Sequence, residues 1–156
     1  MKSLRLVWPR ACAAAILAGW LAMAPALVLA SDNMKSIVKS YLDIHSALAS
    51  DKTDGIQTAA AAIASQAGHM GGKGKAVATA AKAVEQSEDL TAARQAFGDL
   101  SDAVIAAARA EEWADLPGAK VAYCAMAKRY WIQDGDQIRN PYFGSKMLGC
   151  GELQKR

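Results

Sequence analysis

Sulfur-containing side chains cluster in the last third of this 156-residue sequence. Cys124 and Met126 form a Cys-x-Met module, and Met147 and Cys150 form a Met-x-x-Cys module. Thiolates and thioethers are soft ligands, which select cuprous copper or silver over hard cations. The spacing does not match a zinc finger, and methionine is an unusual ligand for zinc. The four residues therefore predict a soft-metal site in the C-terminal segment.

The same two cysteines also fit a structural disulfide. Joining Cys124 to Cys150 closes a loop of about 26 residues, which stabilises a fold by roughly 3.5 kcal/mol in the chain-entropy model. Met126 and Met147 would then fill gaps in the core. The two interpretations exclude each other, because sulfurs bonded to each other cannot be thiolate ligands. Spacing alone favours the disulfide slightly.

The two histidines add little chemistry. His45 lies on the apolar face of the first predicted helix and is an additional candidate ligand, although a lone histidine there is more often a hydrogen-bonded core residue. His69 and Met70 lie in a glycine-rich stretch that is costly to order around a metal. The sequence has no glycine-rich phosphate loop, Gly-x-Ser-x-Gly elbow or His-Glu-x-x-His pair. We therefore expect a protein that is not an enzyme.

Residues 1–30 have the composition of a secretory signal. Lys2, Arg5 and Arg10 precede an uncharged apolar run over residues 11–29, and Ala30 offers a small-residue cleavage site. An uncleaved membrane anchor is the alternative, because about 19 apolar residues just reach across a bilayer. Pro25 argues against a smooth spanning helix. We expect cleavage, export to the periplasm and no membrane association afterwards.

The charge balance of the mature chain excludes a basic binding surface. The full sequence has 18 basic and 15 acidic side chains, and the signal takes away three basic ones and no acid. Residues 31–156 then have a net charge near zero, which predicts no nucleic-acid partner. Their length suits a single domain. Export also favours a disulfide, since the compartment is oxidising.

Apolar residues at three- and four-residue spacing predict four helices, at about residues 33–48, 56–66, 76–86 and 90–112. Phe97 should be central to their core. Residues 68–74 contain four glycines and predict a flexible connection. The fold class is all-α: an up-and-down bundle of about four helices, with an irregular or short β-containing C-terminal segment packed on it.

The C-terminal segment has weaker secondary-structure signals. Residues 121–123 and 130–132 have strand character, and Asp134-Gly135 is a turn signal whose flanks alternate too poorly to predict a hairpin. Asn140-Pro141 requires extended or turn geometry. We expect Trp113 and Trp131 to pack over the end of the bundle.

The C-terminal residues also resemble a known family. Residues 123–127, 131–132 and 138–151 carry the resemblance, with supporting matches at residues 41–48 and 93–101. The family is a domain of unknown activity found in exported bacterial proteins. It is also found at the C-terminus of periplasmic adaptor proteins of Cus-like copper and silver efflux systems. Its usual Cys-Pro-Met reads Cys124-Ala125-Met126 here, so the turn that orients these sulfurs is less rigid.

The resemblance implies that the protein handles monovalent copper or silver in the periplasm. We therefore expect a periplasmic protein that binds or buffers cuprous copper or silver through Cys124, Met126, Met147 and Cys150, with His45 as a further candidate. The alternative is a non-enzymatic interaction module of an efflux system. In it, a Cys124–Cys150 disulfide closes the segment, and the aromatic surface at residues 141–143 contacts an efflux adaptor or another periplasmic protein.

Overall fold

The computed structural model describes residues 24–110, 116 and 118–155, with the side chains of residues 24–31 left aside. Four helices come first and a small sheet follows, which confirms the predicted helical bundle with a β-containing C-terminal segment. The helices are α1 (Ala24–Ala49), α2 (Ile56–Gly68), α3 (Lys75–Glu85) and α4 (Leu90–Ala110). The strands are β1 (Ala119–Cys124), β2 (Arg129–Asp134) and β3 (Glu152–Leu153).

The bundle is built from neighbours in sequence. Each helix packs on the next one, and α1 also contacts α4, so the four helices enclose one apolar core. Phe97 is fully buried at its centre, as predicted, and its ring stacks on Tyr41 with centroids 4.8 Å apart. No described helix is long and apolar enough to cross a membrane.

The glycine-rich connection between α2 and α3 is regular, whereas the sequence predicted a flexible loop. Gly71–Gly74 form a 3-10 turn that leads directly into α3. A Cβ at Gly74 would lie 1.8 Å from the carbonyl oxygen of Ala67 near the end of α2. This glycine therefore serves the close approach of two helices rather than chain mobility.

The sheet has the strand order β2-β1-β3, with both pairings antiparallel. The predicted strands at residues 121–123 and 130–132 are confirmed as the centres of β1 and β2. Their hairpin connection is residues 125–128, with Lys128 at a φ of 53°, so Asp134-Gly135 follows the hairpin instead of forming it. The sheet packs on the bundle through β2, which contacts both α1 and α4.

A buried amide closes the chain after β2. The indole N–H of Trp131 and the backbone N–H of Arg139 donate to Oε1 of Gln133, at 3.0 and 3.2 Å. Gln133 Nε2 in turn donates to the carbonyls of Gly135 and Gln137. The side chain therefore satisfies four groups of residues 131–139 without water.

Two features predicted from the sequence lie mostly or wholly outside the described residues. The predicted signal peptide lies mostly outside the described residues, and α1 continues through the predicted cleavage site as far back as Ala24. Trp113 also lies outside them. Trp131 is fully buried against the C-terminal segment, where its ring meets Tyr142 edge-on with centroids 6.0 Å apart.

Candidate functional site

The fold brings the two cysteines together. Cys124 is the last residue of β1, and Cys150 lies just before β3. Because β3 pairs antiparallel with β1, with Glu152 opposite Tyr123, Cys150 returns to the end of β1. The two Sγ atoms are 2.7 Å apart. Cys124 is fully buried, whereas Cys150 is partly exposed.

Gly151 makes this return possible. Its φ is +139°, in a region that favours glycine. A Cβ there would lie 2.6 Å from the Trp131 ring and 2.9 Å from the Tyr123 carbonyl oxygen. Cys150 can therefore approach the end of β1 this closely only because the residue after it is a glycine.

The surroundings of the pair favour a thiolate at Cys124. Burial by itself raises the pKa of this thiol, but the contact with Cys150 and the N–H groups of Ala127, Met126 and the Asn140 side chain outweigh it, and the pKa lies below its ordinary value. The pKa of Cys150 is raised, chiefly by its contact with Cys124. The two sulfurs are chemically unequal, and Cys124 is the one that ionises first.

The two methionines flank the pair without entering the core. Met126 lies in the hairpin turn after Cys124 and is 66% exposed, so the expectation that it fills the core is wrong. Met147 is partly exposed, and its carbonyl accepts the N–H of Cys150 at 3.0 Å. Of the four sulfur residues predicted as ligands, the described structure brings the two cysteines into contact, as free thiols.

His45 is held by the backbone of the C-terminal segment. Its Nε2 donates to the carbonyl oxygen of Arg139 at 2.8 Å, and the side chain is only 5% exposed. Burial is the main cause that lowers the His45 pKa to about 4, with the Arg139 charge adding to it. Among the described residues, no three His, Cys, Asp or Glu side chains converge as a metal site, so His45 does not complete such a group with the cysteines.

Asn140 organises the loop between the sheet and Cys150. Its Nδ2 donates to the Cys150 carbonyl at 2.7 Å, and its Oδ1 accepts the N–H groups of Tyr142 and Phe143. Its backbone N–H donates to the carbonyl of Leu148 at 2.8 Å. Asn140 is fully buried. One residue thus closes the chain from residue 141 to residue 150.

An ion pair fastens the same loop to the helices. Arg94 in α4 donates to Asp51 at 2.5 Å, to the Leu48 carbonyl and to the Pro141 carbonyl. Asp51 also accepts the backbone N–H of Ser145, and these bonds, first Ser145 and then Arg94, lower its pKa to about 2. Gly144 packs so closely on this pair that a Cβ would lie 2.0 Å from Asp51 Oδ1.

Three hydroxyl groups join the bundle to the sheet. Ser101 in α4 lies 2.7 Å from the hydroxyl of Tyr41 and 3.3 Å from the hydroxyl of Tyr142. The Tyr41 hydroxyl also accepts the N–H of Ile132, and the Tyr142 hydroxyl donates to the carbonyl of Tyr130. Burial raises the pKa of Tyr142 well above its ordinary value, so it keeps its proton at neutral pH.

The expected aromatic surface at residues 141–143 is only partly exposed. Pro141 is buried, and the Tyr142 ring packs between Phe97 and Trp131. The exposed large apolar side chains among the described residues are Met126 and Tyr130. An interaction surface at this end would therefore use the hairpin of β1 and β2.

Sequence reasoning missed the residues that hold the site. Asn140 had a usable signal, since asparagine before a turn commonly bonds backbone groups just after it. Arg94 and Ser101 had none, because their partners at residues 141 and 41 lie 47 and 60 positions away.

Comparison with known proteins places the chain near one family. Residues 37–113 match the family described as Protein of unknown function (DUF3347). The match supports a relationship to a domain family of unknown function, and it runs from the middle of α1 through α4 but ends before the sheet. No curated protein and no solved structure matches the chain.

Proposed function

We propose that this protein binds a soft monovalent ion, cuprous copper or silver, at Cys124 and Cys150, and carries or buffers it in the periplasm. The observation that supports the proposal is the convergence of the two sulfurs in surroundings that favour a thiolate at Cys124. Thiolate is the form of cysteine that binds metals, and soft sulfur ligands select cuprous copper.

Binding requires the sulfurs to separate. Metal–thiolate bonds of about 2.3 Å place two sulfurs on one ion roughly 4 Å apart, which exceeds the 2.7 Å separation here. Cys124 is fixed in the β1 ladder, whereas Cys150 lies in irregular chain next to the exposed Gly149. Cys150 is therefore the ligand that moves.

The methionines act as accessory ligands in this proposal. The thioether of Met126 is exposed beside Cys124 in sequence, and Met147 stands three residues before Cys150. Both suit transient capture and release of a carried ion better than tight enclosure. His45 has only Nδ1 available as a ligand, because its Nε2 is engaged by Arg139.

A competition titration tests the proposal. The fully reduced protein is titrated with cuprous ion against bicinchoninate, and one ion per chain is expected. Cys124→Ser and Cys150→Ser should each abolish uptake, Met126→Leu and Met147→Leu should each weaken it, and Met70→Leu is the matched methionine control. His45→Gln shows whether the imidazole takes part. Absence of uptake by the reduced protein ends the proposal.

The second candidate is an interaction module closed by a disulfide. The sulfur separation of 2.7 Å is compatible with it, because the two free thiols lie closer than a shared metal ion requires and are placed to form a bond on oxidation. Its partner would be an efflux adaptor or another periplasmic protein, contacted through the exposed Met126 and Tyr130. Thiol counting on protein isolated from its native compartment distinguishes the two. A disulfide that persists in the presence of copper supports the module.

The link to copper or silver efflux rests on the resemblance of the C-terminal segment. The matched family model supports only the helical part, and its description names no metal and no partner. Deletion of the protein in its host, followed by growth at graded copper and silver concentrations, tests the link. Unchanged metal tolerance would leave a metal-binding protein without a role in efflux.

A further inference from the structure

Two buried amide side chains, Gln133 and Asn140, each close one part of the C-terminal segment. Gln133 closes the turn after β2, and all of its hydrogen bonds lie within residues 131–139. Asn140 closes the following loop, and its bonds reach as far as Cys150. Both are buried, at 1% and 0% exposure. They are similar in chemistry, but only Asn140 bonds a cysteine residue.

The bond from Asn140 to Cys150 matters because little else holds this cysteine. The neighbouring Gly149 is exposed and a Cβ there would meet nothing within 4 Å, while Gly151 has glycine-specific geometry. Cys150 is tied by its N–H to Met147 and by its carbonyl to Asn140. Losing the second bond would leave Cys150 attached on its N-terminal side to the exposed Gly149, whose backbone has wide conformational freedom.

We propose that Asn140 is a positioning residue for the cysteine pair: by holding the carbonyl of Cys150, it sets where the Cys150 sulfur lies relative to Cys124. Asn140 binds no ion in this proposal. It places one sulfur against the other, which is fixed in β1. The inference rests on the proposed function for its purpose, but its test uses no metal.

The test is thiol–disulfide exchange with glutathione at one fixed pH. The two cysteine thiols lose two electrons and two protons and form a disulfide, while glutathione disulfide accepts both and becomes two glutathione molecules. The Asn140 side chain also bonds the Cys124 thiol, so the equilibrium constant is corrected for the Cys124 pKa measured in each variant. The corrected constant gives the effective concentration of one cysteine thiol at the other, which reports their relative placement.

Two variants remove the donor to Cys150 and keep the turn after Asn140. Asn140→Asp keeps an acceptor for Tyr142 but points an oxygen at the Cys150 carbonyl. Asn140→Ser also keeps an acceptor for the turn, with a hydroxyl too short to reach Cys150. Each should lower the effective concentration about tenfold or more, the size expected from losing one buried hydrogen bond.

Gln133→Glu is the matched control, since it alters an equally buried amide that bonds neither cysteine. It should leave the effective concentration within about twofold of the unmodified protein, even if its stability falls. The proposal is overturned if the Asn140 variants fold and match the control. It is also overturned if both Asn140 variants fail to unfold cooperatively while Gln133→Glu folds, because the role is then generally structural.

Cuprous-ion uptake by the unmodified protein separates this inference from the proposed function. A drop in effective concentration without any metal uptake supports the role of Asn140 and removes the metal function. Uptake of cuprous ion, combined with an unchanged exchange equilibrium in the Asn140 variants, supports the metal function and overturns the role of Asn140.

Discussion

The helical bundle and the C-terminal segment are held together in different ways. The bundle relies on the burial of small and branched apolar side chains, whose contribution grows with the area removed from water. The segment, residues 119–155, shares that core through Trp131 and Ile132 but adds the buried amides of Gln133 and Asn140, whose hydrogen bonds close its turns. Apolar packing tolerates small rearrangements, whereas a buried amide fixes one geometry. The buried amides hold the backbone on both sides of the loop that carries Cys150.

The largest effect on stability should come from Phe97, which lies in α4 and contacts both the bundle and the C-terminal segment. Its ring stacks on Tyr41 in α1 and lies 6.1 Å from the ring of Tyr142. Phe97→Ala should lower the free energy of unfolding by about 3–5 kcal/mol, measured by urea denaturation. Phe97→Leu, which keeps most of the volume, should cost less.

The same denaturation tests whether the two regions unfold as one unit. Far-ultraviolet circular dichroism follows the helices, and near-ultraviolet circular dichroism follows the buried aromatic side chains. Coincident transitions in Phe97→Ala support one unit. Separate transitions would show that the C-terminal segment folds independently of the bundle.

Acid should destabilise the fold through His45, because protonation would place a charge on a buried imidazole. The pKa of His45 is about 4 in the folded state, against roughly 6.5 in an unfolded chain. Below about pH 6.5 the unfolded chain therefore binds a proton that the folded protein does not. This stability is present at neutral pH and falls by up to about 3 kcal/mol as the pH drops to about 4.

Urea unfolding at several pH values between 7 and 4 measures this loss. His45→Gln should flatten the pH dependence, and His69→Gln, which removes the exposed histidine, should leave it in place. A profile unchanged by His45→Gln would contradict the prediction.

A smaller loss of stability should report on the ion pair of Asp51 and Arg94, which joins the loop to the helices. Gly144 and Gly135 have φ values of 56° and 78°, so alanine is strained at both. A Cβ at Gly144 would also displace Asp51 and Arg94, whereas a Cβ at Gly135 would meet nothing within 4 Å. Gly135→Ala should cost about 1 kcal/mol, and Gly144→Ala about 2 kcal/mol or more.

The difference between the two glycine variants measures how tightly the loop is fastened. Thermal unfolding of both proteins at neutral pH gives it directly. Equal losses would show that the pair of Asp51 and Arg94 yields without cost to the stability of the protein.

The smallest effect on stability should come from Met126. Because its side chain is 66% exposed, Met126→Leu should change the free energy of unfolding by less than about 0.5 kcal/mol. The substitution removes the sulfur and keeps the apolar character. A larger loss would assign Met126 a packing role and weaken its role as an accessory ligand.

The sequence predicted the features that depend on local pattern. Helix positions followed from apolar spacing, and the burial of Phe97 followed from its place on that stripe. The approach of Cys124 to Cys150 was predictable as one of two arrangements, because residue type alone limits what two cysteines do. The exposure of Met126 was not predictable, since a methionine in a turn carries no signal for its orientation.

The contacts that hold the site together join residues that are far apart in the sequence. Arg94 reaches Asp51 and Pro141 across 43 and 47 positions, and no periodicity links them. Gly144 is similar: its glycine signal indicated a bend, while its closest neighbours are side chains from α4 and from the turn after α1. Such contacts become visible only when the chain is folded.

The outer edge of β2 has a consequence for the behaviour of the protein at high concentration. On this edge, the N–H of Ile132 donates to the hydroxyl of Tyr41, and the carbonyl of Tyr130 accepts the hydroxyl of Tyr142. An unprotected edge strand is a template on which strands of other molecules can add and start aggregation. Here an incoming strand must first displace two tyrosines that are anchored in the core. The hydroxyls that join the sheet to the helices thus also protect the protein from self-assembly through this strand.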